Sequence, residues 1–188
     1  RGVYLTDKGL PVTLQPGVDL TIDSDFAVLV VAQNLGAEPL LKVDGPADAG
    51  VFMLQRLVLN ANGGGPSVCQ FRAAACLEID IKGTRPHLVE QVIALWGDVG
   101  VHVLSMNGGT FRSCRAGYCR HAGWKVEAPM GTRFEDCNAQ ENPPAGGKCS
   151  PATAATLAGA LGHGYWIVPP ATAVIEGPVC EKNGGAGI

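Results

Sequence analysis

Apolar residues recur at two fixed distances before five glycines of the chain. The glycines are Gly65, Gly100, Gly123, Gly146 and Gly187. Twelve residues before them stand Met53, Leu88, Phe111, Phe134 and Ile175. Seven residues before them stand Val58, Ile93, Ala116, Ala139 and Cys180. Two apolar columns at constant offsets predict stacked copies of one short unit, with both columns pointing inward.

The unit is too short for a pair of helices and carries the alternation of a strand. Two of the glycine intervals are 23 residues long, whereas the others are 35 and 41. Residues 77–81, 101–106 and 124–127 alternate between apolar and polar positions, as strands with one buried face do. The pattern therefore predicts an all-β fold, a β-solenoid of about six coils. The long intervals indicate two loop insertions, at about residues 66–76 and 147–164.

Three segments carry a resemblance to a known group of proteins. Residues 111–116, 134–139 and 179–187 resemble the coil pattern of right-handed parallel β-helix proteins. This pectate-lyase-like superfamily includes polysaccharide lyases, epimerases and phage tailspikes. The resemblance implies a right-handed single-stranded parallel β-helix that forms one domain over residues 1–188. Because the chain starts at Arg1 rather than at a methionine, we expect a segment of a longer protein.

Composition and charge agree with thin stacked coils and narrow the choice of partners. The 188 residues include 26 glycines and 13 prolines, with only 6% aromatic and 16% charged residues. The formal net charge is −3, and no run of lysine and arginine occurs, so we expect no nucleic-acid partner. The apolar runs are far shorter than the ~20 residues of a membrane span, so none is expected.

The strand that enters each coil predicts a polar outer face. Leu41, Val43, Ile79, Val103, Val126 and Ile167 are assigned inward. Their outward neighbours include Lys42, Asp44, Glu78, Asp80, His102, Lys125, Glu127 and Trp166. Stacking would bring four carboxylates beside two lysines and a histidine on one face. The outward Leu104 and Val168 suggest that part of this face is covered.

The resemblance implies specific roles for these side chains. In similar lyases, carboxylates hold Ca²⁺ against a uronate, and a basic residue removes the neighbouring proton. On that reading Asp44, Glu78 and Asp80 would bind calcium, and Lys125 or His102 would be the catalytic base. Trp166 would stack on a sugar, and Glu127 and Lys42 would be further ligand-binding groups. The alternative is a solvated face, on which alternating lysine and glutamate lower like-charge repulsion.

Seven cysteines leave at least one thiol unpaired within this chain. Cys114 and Cys137 share one offset and are expected to stack as buried thiols. Cys69 with Cys76, and Cys149 with Cys119 or Cys180, are the candidate disulfides. Such bridges would indicate an oxidising compartment.

Three functional hypotheses follow. The first is an extracellular, cell-surface or virion-surface module for recognition or structure, with a polysaccharide or cell-surface glycan as its ligand and no required cofactor. The second is a calcium-dependent polysaccharide lyase or epimerase, or a glycoside hydrolase, that uses the acidic face. The third is a structural stalk or coat component, which would form homo-oligomers or contact neighbouring chains of a larger assembly.

Overall fold

The computed structural model describes residues 2–61, 71–128, 130–142, 162–185 and 187–188. Within these ranges the fold is all-β, without a helix, and the strands form two parallel sheets of eleven and six strands. The eleven-stranded sheet contains β1 (Val3–Thr6), β3 (Leu20–Val31), β5 (Phe52–Asn60), β7 (Leu88–Glu90), β8 (Ile93–Leu95), β10 (Thr110–Arg112), β11 (Arg115–Gly117), β13 (Thr132–Glu135), β14 (Asn138–Gln140), β16 (Ala173–Glu176) and β17 (Val179–Glu181). The six-stranded sheet contains β2 (Leu10–Thr13), β4 (Leu41–Gly45), β6 (Ala75–Ile81), β9 (Val99–Met106), β12 (Ala122–Val126) and β15 (His163–Ile167). Such parallel pairing is compatible with the predicted coils. Over the same residues, no helix is long and apolar enough to cross a bilayer.

The larger sheet curls because its long strands bend. The first half of β5 pairs with β7 and the second half with β8, and Arg56 between them has a positive φ of 55°. Residues at the same register repeat this left-handed bend: Arg56, Gln91, Ser113, Asp136 and Gly177. A second left-handed column follows one strand later, at Trp96, Tyr118, Glu141 and Lys182. Each turn of chain therefore changes direction at matching positions.

The core lies between the two sheets and is lined by stacked side chains from successive strands. Phe111 stacks on Phe134 with ring centroids 5.1 Å apart, and Trp124 stacks on Tyr165 at 5.8 Å. Edge contacts join the two stacks, at 5.3 Å between Trp124 and Phe134. All four rings are almost fully buried.

The predicted apolar columns are wrong by one residue in their first two members. Leu54 and Val89, not Met53 and Leu88, are buried and align with Phe111. In the second column, Leu59 and Ala94 are buried, whereas Val58 and Ile93 are only half-buried.

For Leu88 and Ile93, which were counted back from Gly100, the cause of this error is the length of one connection between strands. Gly100 does lie opposite Gly123. However, residues 96–98 join β8 to β9, whereas residues 118–121 join β11 to β12. Counting twelve or seven residues back from Gly100 therefore gives Leu88 and Ile93 instead of the buried Val89 and Ala94.

The insertions border two strands of the smaller sheet. Ala75 and Cys76 belong to β6, and His163 and Gly164 belong to β15, so these residues of the predicted insertions are strand residues. Gly164 lies opposite Gly123, which is the position that spacing had assigned to Gly146. Gly65 and Gly146 lie outside the described residues.

The five described cysteines are free thiols: Cys76, Cys114, Cys119, Cys137 and Cys180. The predicted bridges of Cys76, Cys119 and Cys180 are therefore not formed, and their proposed partners Cys69 and Cys149 lie outside the described residues. Cys114 and Cys137 are buried and interact with each other, as expected for a thiol stack. Burial raises the pKa of Cys76 to about 12, because a thiolate is poorly solvated there.

Candidate functional site

Outward side chains of five neighbouring strands form one continuous polar surface. Strands β4, β6, β9, β12 and β15 place Lys42, Glu78, His102, Lys125 and Trp166 at one register. The inward residues between them, such as Val43 and Ile79, are fully buried, which fixes the outward direction of the polar ones. We call Lys42, Asp44, Glu78, Asp80, His102, Lys125, Glu127 and Trp166 the charged face.

His102 occupies the centre of the charged face, between two carboxylates. Its Nδ1 is 3.3 Å from Glu78 Oε2, and its Nε2 is 3.0 Å from Glu127 Oε1. The side chains of His102 and Glu78 are only 16% and 17% exposed, so these contacts are partly shielded from water. A neutral imidazole has one N–H, whereas the imidazolium can donate to both carboxylates. In the neutral ring, therefore, only one of the two contacts can be a hydrogen bond donated by His102.

Both glutamates are held ionised by their neighbours. The hydrogen bond from His102 is the main cause that lowers the pKa of Glu78, against the opposing effect of burial, and Lys42 adds to the lowering. Lys125 is the main cause that lowers the pKa of Glu127, followed by His102. These carboxylates consequently act as acceptors rather than as proton donors near neutral pH.

Lys125 connects the carboxylates to the aromatic end of the face. Its Nζ is 2.6 Å from Glu127 Oε1 and 5.1 Å from the centroid of the Trp166 ring. A cation over an indole face is attracted by the negative face of the ring, which restrains both side chains. The ring of His163 lies 6.0 Å from the Trp166 ring, and Trp166 stays half-buried.

The three predicted calcium ligands each have a cationic partner. Lys42 Nζ is 3.5 Å from Asp44 and 3.6 Å from Glu78, and Lys82 Nζ is 2.6 Å from Asp80. The carboxylate of Asp44 is the main cause that raises the pKa of Lys42 above its ordinary value. Among the residues that the structure describes, no three His, Cys, Asp or Glu side chains converge as a metal site would require. The calcium-binding role of Asp44, Glu78 and Asp80 stays a prediction.

The two predicted catalytic bases are also engaged. Both ring nitrogens of His102 face carboxylates, and the ammonium of Lys125 is bound to Glu127. A general base needs a free lone pair directed at the substrate proton. Neither residue presents one in this arrangement, and the catalytic role stays a prediction.

A cleft opens at the Lys42 end of the charged face. Its volume is about 440 Å³, within the range of ligand pockets, and its walls include Gly9, Leu10, Pro11, Glu38, Lys42 and Glu78. The cleft and Trp166 therefore lie at opposite ends of one row of side chains.

Sequence reasoning missed three features of this region. Asp80 pairs with Lys82. If the alternation of β6 is continued to residue 82, both side chains point outward, so the sequence contained this signal. A register shift after Val103 places Asp80 opposite Ser105, so Leu104 has no partner in β6. The cleft wall formed by residues 37–39 comes from the connection before β4, which carries no periodic signal.

Comparison with family models, curated proteins and solved structures gives no match for this chain. The likeness to pectate-lyase-like proteins thus stays a prediction, and arguments about function depend on the residues themselves.

Proposed function

We propose that the chain is a right-handed single-stranded parallel β-helix. Support comes from the pairing of the strands, which is parallel in both sheets. Aligned residues such as Phe111 and Phe134 are one 23-residue unit apart. A connection between parallel strands of one sheet is right-handed in about 98% of cases, which supports the proposed hand.

We further propose that the module recognises a neutral polysaccharide through the charged face and does not cleave it. The observation that carries this proposal is the row from the cleft at Lys42 to Trp166. Four strand spacings of about 4.8 Å make the row roughly 19 Å long, which suits several residues of an extended glycan. The indole supplies an apolar platform, and the paired polar groups supply fixed donors and acceptors.

The charges of the face favour a neutral ligand. The four carboxylates of the charged face contact its two lysines, the neighbouring Lys82 and the ring of His102. A polyanion would need an excess of positive charge, which this face lacks. A lysine that already contacts a carboxylate would also have to give up that contact in order to bind an anionic ligand.

The proposed location is the outside of a cell or virion, as a secreted, cell-surface or tailspike module. Its support is the resemblance of the coil sequences alone, since the described thiols are free and give no sign of an oxidising compartment.

The test is calorimetric titration with a panel of neutral hexasaccharides and with polygalacturonate. We expect saturable binding of at least one neutral hexasaccharide and a loss of about tenfold or more in Trp166→Ala. Arg133→Ala, which removes an exposed ion pair with Glu176 on the other sheet, is the matched control and should bind normally. Binding that is equal in Trp166→Ala, or formation of unsaturated products from polygalacturonate, would contradict the proposal, the latter in favour of a lyase.

A structural role is the second candidate, and exposed apolar residues of β1 favour it. Val3, Tyr4 and Leu5 are 68%, 61% and 72% exposed, and β1 pairs only with β3 among the described strands. Sedimentation of the wild type and of Leu5→Glu tests this role. A homo-oligomer that dissociates in the variant would support assembly, and a monomer at all concentrations would argue against it.

A further inference from the structure

β1 is an edge strand whose outer side is open. Among the described strands it pairs only with β3, and the pairing is parallel. The carbonyl oxygens of Gly2 and Thr6 accept N–H groups from the β3 side. Because backbone groups alternate in direction along a strand, the N–H and C=O groups of Val3 and Leu5 point to the open edge. The backbone of these two residues is thus available to a further strand.

β1 lacks the features that usually keep an edge strand from pairing with another chain. The side chains of residues 3–5 are apolar or aromatic and largely exposed, and no residue of Val3–Thr6 carries a charge. Proline and charged side chains discourage such pairing. Other open edges carry one of them: Pro11 in β2, Asp23 in the first half of β3, Glu176 in β16 and Glu181 in β17.

The sequence of β1 complements itself in one antiparallel register. With Tyr4 of two copies opposite each other, Val3 of each copy stands opposite Leu5 of the other. These are the residues with edge-directed backbone groups, so each such pair would exchange N–H···O=C hydrogen bonds. The two Tyr4 residues then form the closer, non-hydrogen-bonded pair, with Cα atoms about 4.5 Å apart. A shift of two residues would instead place Val3 opposite Asp7 and lose this apolar match.

The end of the core beside β1 is open as well. Tyr4 aligns with Leu29, which packs against the core, so the ring of Tyr4 is on the core side of the sheet. Four further core residues of this end are only partly buried: Leu10, Val12, Leu20 and Ile22. A second copy that continues the larger sheet beyond β1 would lie over this end and remove apolar surface from water.

Charges argue against a head-to-tail contact between two copies. The strand register, continued past β17 into a second copy, would bring its Leu5 beside Glu181. Continued past β16, it would bring Asp23 beside Glu176, and like charges on adjacent strands repel. Contact between two β1 edges avoids both mismatches.

We propose that two copies of this chain associate end to end, through antiparallel pairing of their β1 strands about a twofold axis that brings the two Tyr4 residues together. This contact rests on the structural role considered above and specifies the surface that forms it. Because the same strand is used by both copies, the contact closes after two chains, and a dimer rather than a filament is expected.

Sedimentation equilibrium tests the hydrogen bonds of the edge. We expect the wild type to show a monomer–dimer equilibrium. Leu5→Pro removes an N–H that points to the open edge and leaves the bonds to β3, so dimerisation should weaken about tenfold or more. Leu5→Val keeps both the N–H and an apolar side chain. It is the matched control and should dimerise like the wild type, with circular dichroism to confirm that both variants fold.

Oxidative cross-linking tests the register and does not depend on Leu5→Pro. Tyr4→Cys should form a disulfide-linked dimer on treatment with diamide, and peptide mass spectrometry should find position 4 linked to itself. Leu5→Cys is the control one residue away and should link to itself far less, because it stands opposite Val3. The wild type, treated in the same way, reports any links among the native cysteines.

The outcomes separate this contact from the structural role itself. A wild type that stays monomeric at all concentrations would overturn both. A wild-type oligomer that persists in Leu5→Pro, together with no self-link in Tyr4→Cys, would overturn the β1 contact and leave the structural role standing. A link between position 4 and Cys180 would overturn it in favour of head-to-tail stacking, since that register aligns Tyr4 with Cys180.

Discussion

His102 Nε2 lies 3.0 Å from Glu127 Oε1, and this contact joins strand β9 to the residue that follows β12. Because the opposite ring nitrogen contacts Glu78, one side chain connects β6, β9 and the end of β12. We expect His102→Leu to lower the free energy of unfolding by about 2 kcal/mol, since two partly buried carboxylates lose a donor. Urea denaturation measures this change.

Lys82→Ala is the matched control for this variant. It also removes a contact with a carboxylate, that of Asp80, but the side chain of Lys82 is largely exposed. Exposed pairs contribute about 0–1 kcal/mol, so the control should be close to wild type. Equal loss in both variants would show that burial of the His102 contacts is unimportant.

The pKa shifts of Glu78 and Glu127 predict a loss of stability in acid. Both pKa values are lower in the folded chain than in the unfolded one. The contribution of the two glutamates to the free energy of unfolding is therefore complete above the ordinary glutamate pKa of about 4.3. It decreases as the pH falls through the lower pKa values of the folded chain. The midpoint of thermal unfolding at pH 6, 4 and 3 should fall less steeply in Glu78→Gln than in wild type. Parallel curves would contradict this assignment.

The paired carboxylates predict that calcium does not bind at Asp44, Glu78 and Asp80. Each is held by a lysine or by His102, and a cation would have to displace those partners. Calorimetric titration of Ca²⁺ should show no saturable heat that disappears in Asp80→Ala. Binding that is lost in this variant would restore the calcium interpretation.

The chain packs so closely around Gly100 that a side chain at this position would clash with its neighbours. A Cβ there would lie 2.6 Å from the carbonyl oxygen of Gly123 and 2.8 Å from Ala116 Cβ. We expect Gly100→Ala to destabilise the fold by about 1–3 kcal/mol, as overpacking does. Gly187→Ala, whose nearest contact would be an ordinary 3.4 Å, is the control for urea denaturation and should change stability less.

Burial of the thiols predicts slow chemical modification in the native state. Cys76 and Cys119 are fully buried, and desolvation raises both pKa values, so little thiolate forms at neutral pH. Iodoacetamide should label them only after unfolding, as read by peptide mass spectrometry. Rapid native labelling, or a disulfide found without reduction, would contradict the structure.

The charged face could be predicted because its pattern is local and repeated. Alternation within β4, β6, β9 and β12 fixes which side chains point outward, and one constant register places Lys42, Glu78, His102 and Lys125 in a row. Pairing among these side chains depends on rotamers and diagonal neighbours, which periodicity does not contain. For that reason the engagement of His102 by both glutamates was not foreseen.

The lengths of the connections between strands could not be predicted from the periodicity. One residue fewer between β8 and β9 moved Leu88 and Ile93 out of the inward columns, although both are as apolar as the true core residues Val89 and Ala94. Because neighbouring positions are hydrophobic on both sides of the strand, polarity could not detect the shift. Part of the cleft wall, at residues 37–39, also belongs to a connection, where no period constrains the side chains.

The left-handed bends of the larger sheet accept side chains that differ in size and charge: Arg56, Gln91, Ser113, Asp136 and Gly177. Five chemically different residues occupy equivalent places, and a non-glycine residue there carries strain of about 1–2 kcal/mol. Glycine removes that strain but adds about 0.5–1 kcal/mol of backbone entropy to the unfolded chain. Ser113→Gly and Asp136→Gly would therefore be nearly neutral or slightly stabilising, so these bends can be redesigned without altering the core or the charged face.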